Sequence, residues 1–159
     1  MPIIEESITI DAPAAGLFAL SQDYGLRREW DPFTGDMRFL DGATAASRGV
    51  RVWFRARNGL VMEVEFVSVR PPRSVAMKML RGPGFLKRFA GTWLFVPQAD
   101  GRTRVTFRYS FEPRWRWLAP VVSPIFAWTF RRQLRARLRG LKRGAEELGL
   151  LGRLGVGCA

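Results

Sequence analysis

Over residues 3–10, and again from Gly35 to about residue 111, apolar side chains recur at every second position, the period of a β-strand. From Pro124 to Leu148 they recur at every third or fourth position, the period of a helix. Ile4, Ile8 and Ile10 define a first strand over residues 3–10, and Pro13 starts a short helix that runs through Leu20. A second short helix spans Tyr24 to Asp31 and is closed by Pro32. The later strands carry Met37 and Phe39, then Val52, Phe54 and Ala56, then Met62, Val64 and Phe66. The long helix bears a stripe of Ala127, Phe130, Leu134, Leu138, Leu141, Ala145 and Leu148. Ser123-Pro124 reads as its start and Gly149 follows its end.

Parity decides the turns. A two-residue Asn58-Gly59 loop would set Phe54 against Glu63 and mix the faces, which a half-buried sheet does not tolerate. A three-residue loop, Arg57-Asn58-Gly59 with Gly59 left-handed, pairs Phe54 with Met62 and Arg51 with Glu65. A four-residue connection at Arg70–Arg73 sets Phe66 against Met77, Glu65 against Lys78 and Val64 against Met79. A turn at Ala99–Gly101 pairs Phe95 with Val105, Trp93 with Phe107 and Gly91 with Tyr109. These elements make an α+β domain over residues 1–149: an antiparallel sheet, apolar on one face, that must bury itself against the final helix. Residues 150–159 lack periodicity and read as a flexible tail.

Composition narrows the chemistry. The chain has 159 residues and a formal net charge of +12, mostly from arginine, which favours anionic partners. It has no histidine, which removes histidine-based triads and metal sites, and one cysteine, Cys158, which forms no intrachain disulfide. No cofactor or metal is expected. With Glu5 and Glu6 near the start and no apolar signal core, the expected location is cytoplasmic, with peripheral attachment to a membrane as an extension.

An Ile-x-Ala-Pro-Ala segment (Ile10 to Ala14), Leu17-Phe18-Ala19-Leu20, a Tyr24-x5-Trp30-Asp31-Pro32-Phe33 segment, a run of antiparallel strands and a long last helix together resemble the START-like (SRPBCC) superfamily. Within it the likeness is to the polyketide cyclase/dehydrase and lipid-transport group. The resemblance implies a helix-grip fold, a curved sheet holding the last helix over a hydrophobic cavity, and a hydrophobic small molecule such as a lipid or polyketide as ligand. It places Trp30 at the cavity mouth, Leu134 and Leu138 on the roof, and Arg81–Phe85 as a gate. Phe54, Met62, Phe66, Met77, Met79, Trp93, Phe107 and Tyr109 supply the inner sheet face by parity, and Phe130 joins them from the helix.

That inner face offers only Tyr109, Ser68 and Tyr24 as polar or ionisable groups, even with Arg38 or Arg137 turned inward. No acid–base pair is evident, and no catalytic residue is assigned. Seven of the thirteen residues from Arg131 to Arg143 are basic. Arg131, Arg132, Arg135, Arg139, Lys142 and Arg143 gather away from the apolar stripe and, beside Val121, Ile125 and Trp128, resemble an interfacial membrane helix. Nucleic acid is disfavoured, because no recognition motif accompanies the charge. Three functions follow: a carrier or sensor of a hydrophobic molecule docking on anionic membrane, a cyclase/dehydrase-type enzyme using the same cavity, or a basic interaction module.

Overall fold

The computed structural model describes residues 2–154. Strand β1 (Ile3–Ile10) leads into helices α1 (Ala14–Gln22) and α2 (Tyr24–Trp30). Six strands follow: β2 (Thr34–Phe39), β3 (Arg51–Ala56), β4 (Val61–Arg70), β5 (Ser74–Arg81), β6 (Leu86–Pro97) and β7 (Thr103–Pro113). Helix α3 (Ala119–Glu146) closes the fold. All strands pair antiparallel in one sheet of order β1-β7-β6-β5-β4-β3-β2, so the chain meanders from β2 to β7 and β1 docks on the last strand.

The registers match the parity argument except at the turn between β4 and β5. There Arg70 pairs with Ser74 and the loop is three residues, 71–73, rather than four; a bulge between Phe66 and Ser68 takes up the difference. Phe54 faces Met62, Phe66 faces Met77, Val64 faces Met79, and Trp93 faces Phe107. Gly59 and Gly101 take φ of +91° and +83°, the left-handed geometry a three-residue hairpin loop demands of its last residue. The two glycines therefore fix which face of each strand reaches the core. Outside, cross-strand charges pair, as Lys78 does with Glu65 at 3.6 Å.

Helix α3 differs from expectation at its start. It begins at Ala119, with Pro120 in the first turn and Pro124 inside the helix. Pro120 fixes a helical φ where the amide has no intrahelical acceptor, so it starts the helix better than Ser123 does. The helix ends at Glu146 rather than Leu148, and Gly149 turns left-handed at φ +64°. The expected flexible tail does not begin at Leu150. Leu150–Arg153 form a 3-10 turn, and Leu150 and Leu154 are buried beside α1 and α3 because they are apolar and the turn brings them back onto the core. Residues 155–159, including Cys158, lie outside the described residues.

The rear half of α3 packs solidly. Leu134, Leu138 and Leu141 are buried, and the helix approaches the end of α2 through Gly140 and Gly144. A Cβ at Gly144 would come within 2.9 Å of the Trp30 Cβ, so both glycines are needed for this close crossing. The front half, Ile125 to Gln133, stands off the sheet and roofs a hollow.

Candidate functional site

The hollow is a cavity of about 270 Å3, close to the lower end of the roughly 300–1,000 Å3 common for small-molecule sites. Its floor is the concave face of the sheet, and its roof is Phe126, Thr129, Phe130 and Gln133 of α3. Four methionines, Met37, Met62, Met77 and Met79, line the hollow, and such flexible thioethers adapt to guests of different shape. Ile125 and Asn58 line the cavity and are also exposed, so they mark its rim. Pro83 and Phe85, from the loop between β5 and β6, line it too, and Phe85 packs on Phe126 with ring centroids 5.2 Å apart.

Of the side chains the sequence suggested for the cavity, Phe54, Met62, Met77, Met79, Phe107, Tyr109 and Phe130 lie along its wall. Trp30, Phe66, Trp93, Leu134 and Leu138 do not; they are buried in packed core. Each has a physical reason. Trp30 is pinned under Gly140 and Gly144 rather than held at the mouth, and Trp93 is stacked on Phe107 at 3.8 Å between centroids. Leu134 and Leu138 belong to the half of α3 that already touches the sheet, and Phe66 is fully buried within the sheet-facing core.

The inner end of the cavity holds a charged group that the sequence reading left unassembled. Arg27, Arg137 and Tyr109 all line the cavity there and are almost wholly buried. Behind them Asp31 accepts from five donors. Arg27 Nε reaches Oδ2 at 3.1 Å, Arg137 Nε and Nη2 at 3.1 and 2.8 Å, and Thr34 Oγ1 at 2.8 Å. The Phe33 amide donates to Oδ1 at 3.0 Å. Arg137 Nη1 donates to the Tyr109 hydroxyl at 2.6 Å, and Arg27 Nη1 to the Ser21 carbonyl at 2.9 Å.

Three elements bring the group together. Arg27 and Asp31 are one helical turn apart on α2, and Asp31 is its C-cap. Arg137 reaches in from α3 because it shares the buried stripe with Leu134 and Leu141. That spacing was the available signal: position 137 lies three residues after one buried leucine and four before another. Arg38, the other candidate, points outward and lies over Trp53 at 4.2 Å. Tyr24 is stacked on Phe39 with centroids 4.8 Å apart, and burial pushes its hydroxyl up to about 12.

Electrostatics divides the roles. Burial opposes ionisation of Asp31, yet Arg137 and Arg27 outweigh it and hold the carboxyl well below the usual carboxylate range. With its acceptor positions taken, Asp31 is a fixed counter-ion and not a general base. Burial also works against Arg137, but Asp31 and Tyr109 more than compensate and its pKa rises. Arg27 fares differently. Burial and then repulsion from Arg137 depress it, despite Asp31. Burial raises the Tyr109 hydroxyl above its ordinary value.

The basic residues of α3 do not form one free face. Because the helix runs along β1, Arg131 and Arg135 reach Glu6 at 3.8 and 3.2 Å. Lys142 bonds the Thr9 carbonyl at 3.0 Å and Glu146 at 3.0 Å, and Arg143 pairs loosely with Glu147 at 3.8 Å. Arg132 lies over Trp128 at 5.7 Å, and Arg139 has no ion pair among the described residues. Beside them Val121, Ile125 and Trp128 are exposed on one face of α3 at helical spacing, and Trp115 and Trp117, just before the helix, are exposed too, Trp117 at 78%. Ile125 joins this face to the cavity rim. Among the described residues no helix is long and apolar enough to cross a membrane.

Solved structures share the architecture. A START superfamily protein from Mycobacterium smegmatis aligns with a TM-score of 0.77 at 13% identity, over 92% of this chain and 98% of the other. TTHA0849 from Thermus thermophilus aligns with a TM-score of 0.70 at 18% identity, over 89% and 95%. The di-domain ARO/CYC protein BexL, from the BE-7585A biosynthetic pathway, aligns with a TM-score of 0.72 at 14% identity, over 92% of this chain and 48% of the larger protein. These likenesses establish the START helix-grip fold. A search of curated protein sequences finds no match. The family model for polyketide cyclase/dehydrase and lipid transport matches residues 1–146, and the chain belongs to that family.

Proposed function

We propose that the protein binds a lipid or polyketide in the cavity beneath α3 and carries or senses it, exchanging it at an anionic membrane surface. The supporting observation is the continuity between an apolar, methionine-lined cavity and the exposed apolar face of α3, Trp128 included, that meets its rim at Ile125. A face of that kind, flanked by Arg132 and Arg139, suits the headgroup boundary of an anionic bilayer. Each basic residue near such a surface adds about 1 kcal/mol, so the unpaired arginines matter more than those tied to Glu6.

Native mass spectrometry of protein purified from cells tests the cargo. A bound hydrophobic molecule is expected, and Met77→Trp, which fills the cavity, should reduce its occupancy at least several-fold while leaving the fold intact. Protein that arrives empty and takes up no lipid or polyketide would refute the reading. Membrane exchange has its own test, co-sedimentation with vesicles. Trp117→Ser combined with Trp128→Ser should reduce binding to anionic vesicles about tenfold or more, and wild type should bind zwitterionic vesicles weakly. Equal binding by variant and wild type would remove the membrane from the proposal.

One observation favours the enzymatic reading as the second choice. The Tyr109 hydroxyl, held by Arg137 at 2.6 Å, lies at the polar inner end of the cavity, where it could donate a proton to a substrate carbonyl. Turnover of a linear polyketide mimic that is lost in Tyr109→Phe would favour it over carriage.

A further inference from the structure

The charges at the inner end of the cavity do not balance. Two guanidinium groups, Arg27 and Arg137, share the single carboxylate of Asp31, which leaves one positive charge in a buried setting. Buried charge without a partner is costly, and proteins seldom keep it without a use. The excess is not spread evenly. Arg137 directs Nε and Nη2 to Asp31 and Nη1 to Tyr109, so all three of its nitrogens are bonded. Arg27 bonds Asp31 through Nε and Ser21 through Nη1, leaving Nη2 without a hydrogen bond among the described residues. Arg27 is 1% exposed to bulk solvent, yet it lines the cavity. Its guanidinium carbon lies 5.4 and 5.8 Å from the Trp30 and Trp93 ring centroids, contacts that stabilise the cation without using the N–H groups of Nη2, which are left for a cavity occupant.

Resting on the reading of the cavity as a ligand site, we propose that its inner end is an anion subsite. The ligand is a hydrophobic monoanion: an apolar body under α3 with one carboxylate, enolate or phenolate oxygen set against Arg27. The geometry explains why two arginines are present where one would neutralise Asp31. Asp31 fixes both guanidiniums and is itself saturated, so the surplus charge is fixed in position before the ligand arrives. The Tyr109 hydroxyl oxygen accepts from Arg137 and its own O–H stays free to donate to an occupant of the same cavity. A charge-assisted hydrogen bond of this type gives preference for the anion over a neutral molecule of equal apolar size.

The test uses N-phenyl-1-naphthylamine, a neutral dye that fluoresces in apolar pockets, as reporter, with decanoate and 1-decanol as competitors in 0.5 M NaCl to screen surface charge. Decanoate is expected to displace the dye at about tenfold lower concentration than 1-decanol, the factor that about 1.4 kcal/mol provides. In Arg27→Met the two competitors should become equal. If they are equal in wild type, or if the preference survives in Arg27→Met, the anion subsite is wrong although the cavity reading stands. If the dye is silent and neither competitor acts, the cavity reading itself fails. Should Arg27→Met not fold, the wild-type protein still decides the matter by NMR. The Arg27 Nε–Hε resonance should shift with decanoate and not with 1-decanol, and no shift with decanoate would overturn the proposal.

Discussion

Asp31→Asn is expected to lose about 3–5 kcal/mol of stability, the range for breaking a buried ion pair by removing one partner. The replacement keeps the shape and removes the charge, leaving Arg27 and Arg137 facing each other inside the protein with no counter-ion. Against a total stability of about 5–15 kcal/mol, the loss is large enough to show directly in a urea titration. Combining it with Arg27→Met should cost less than the two changes added together, because the second removes one of the orphaned charges. Additive losses would show that the three groups do not act as a unit.

The same carboxylate gives stability a pH dependence with a definite sign. Its folded pKa is depressed, so at acid pH the unfolded chain binds a proton that the native protein refuses. The Asp31 contribution is complete above the ordinary aspartate value of about 3.9 and is lost progressively as the pH falls below it toward the folded value. Urea midpoints measured from pH 6 to pH 2 should fall below about pH 4 in wild type. Asp31→Asn should lack that part of the slope.

Gly140→Ala is the second large effect, and its sign opposes the usual rule. In an open helix this change gains about 1 kcal/mol, because glycine is the poorer helix former. Here the new Cβ would overlap the Trp30 carbonyl oxygen and approach Pro32 Cδ to 3.2 Å. The obstacle is backbone. It is held by the adjoining Asp31 network, so it cannot turn aside as the end of a long side chain would. A net loss of about 2–3 kcal/mol is expected, within the range for overpacked cores. That corresponds to a melting temperature lower by about 5–10 °C for a chain of this size. Gly152→Ala, where nothing lies within 4 Å of the added Cβ, is the control and should leave the melting temperature nearly unchanged. A Gly140→Ala protein as stable as wild type would mean that α2 and α3 are not locked at this crossing.

The pairings of the sheet were legible because they depend on local information. Two-residue alternation, with Gly59 and Gly101 marking odd-length loops, leaves one register that keeps Phe54, Met62, Trp93 and Phe107 on a common face. Alternation reports the face of a side chain and not its depth. Phe66 and Trp93 were therefore indistinguishable from Met77 and Phe107, though the first two fill core and the others border open space. The Asp31 group was harder to see, since Asp31 and Arg137 are 106 residues apart and each resembles a surface charge in isolation. Arg137 was hidden within a basic run, where only its place on the leucine stripe distinguished it from the exposed arginines around it. The start of α3 was ambiguous because two prolines lie four residues apart, and either could have opened a helix.

Helix α3 is anchored at one end and overhangs at the other. The glycine crossing that secures its rear third lies several turns from Phe126 and Phe130, too far for a change at those positions to strain the anchor. Capacity and robustness are thus written into separate stretches of one rod. Selection, or a protein engineer, can reshape the overhang for a bulkier guest without loosening the hinge that keeps the whole lever in place.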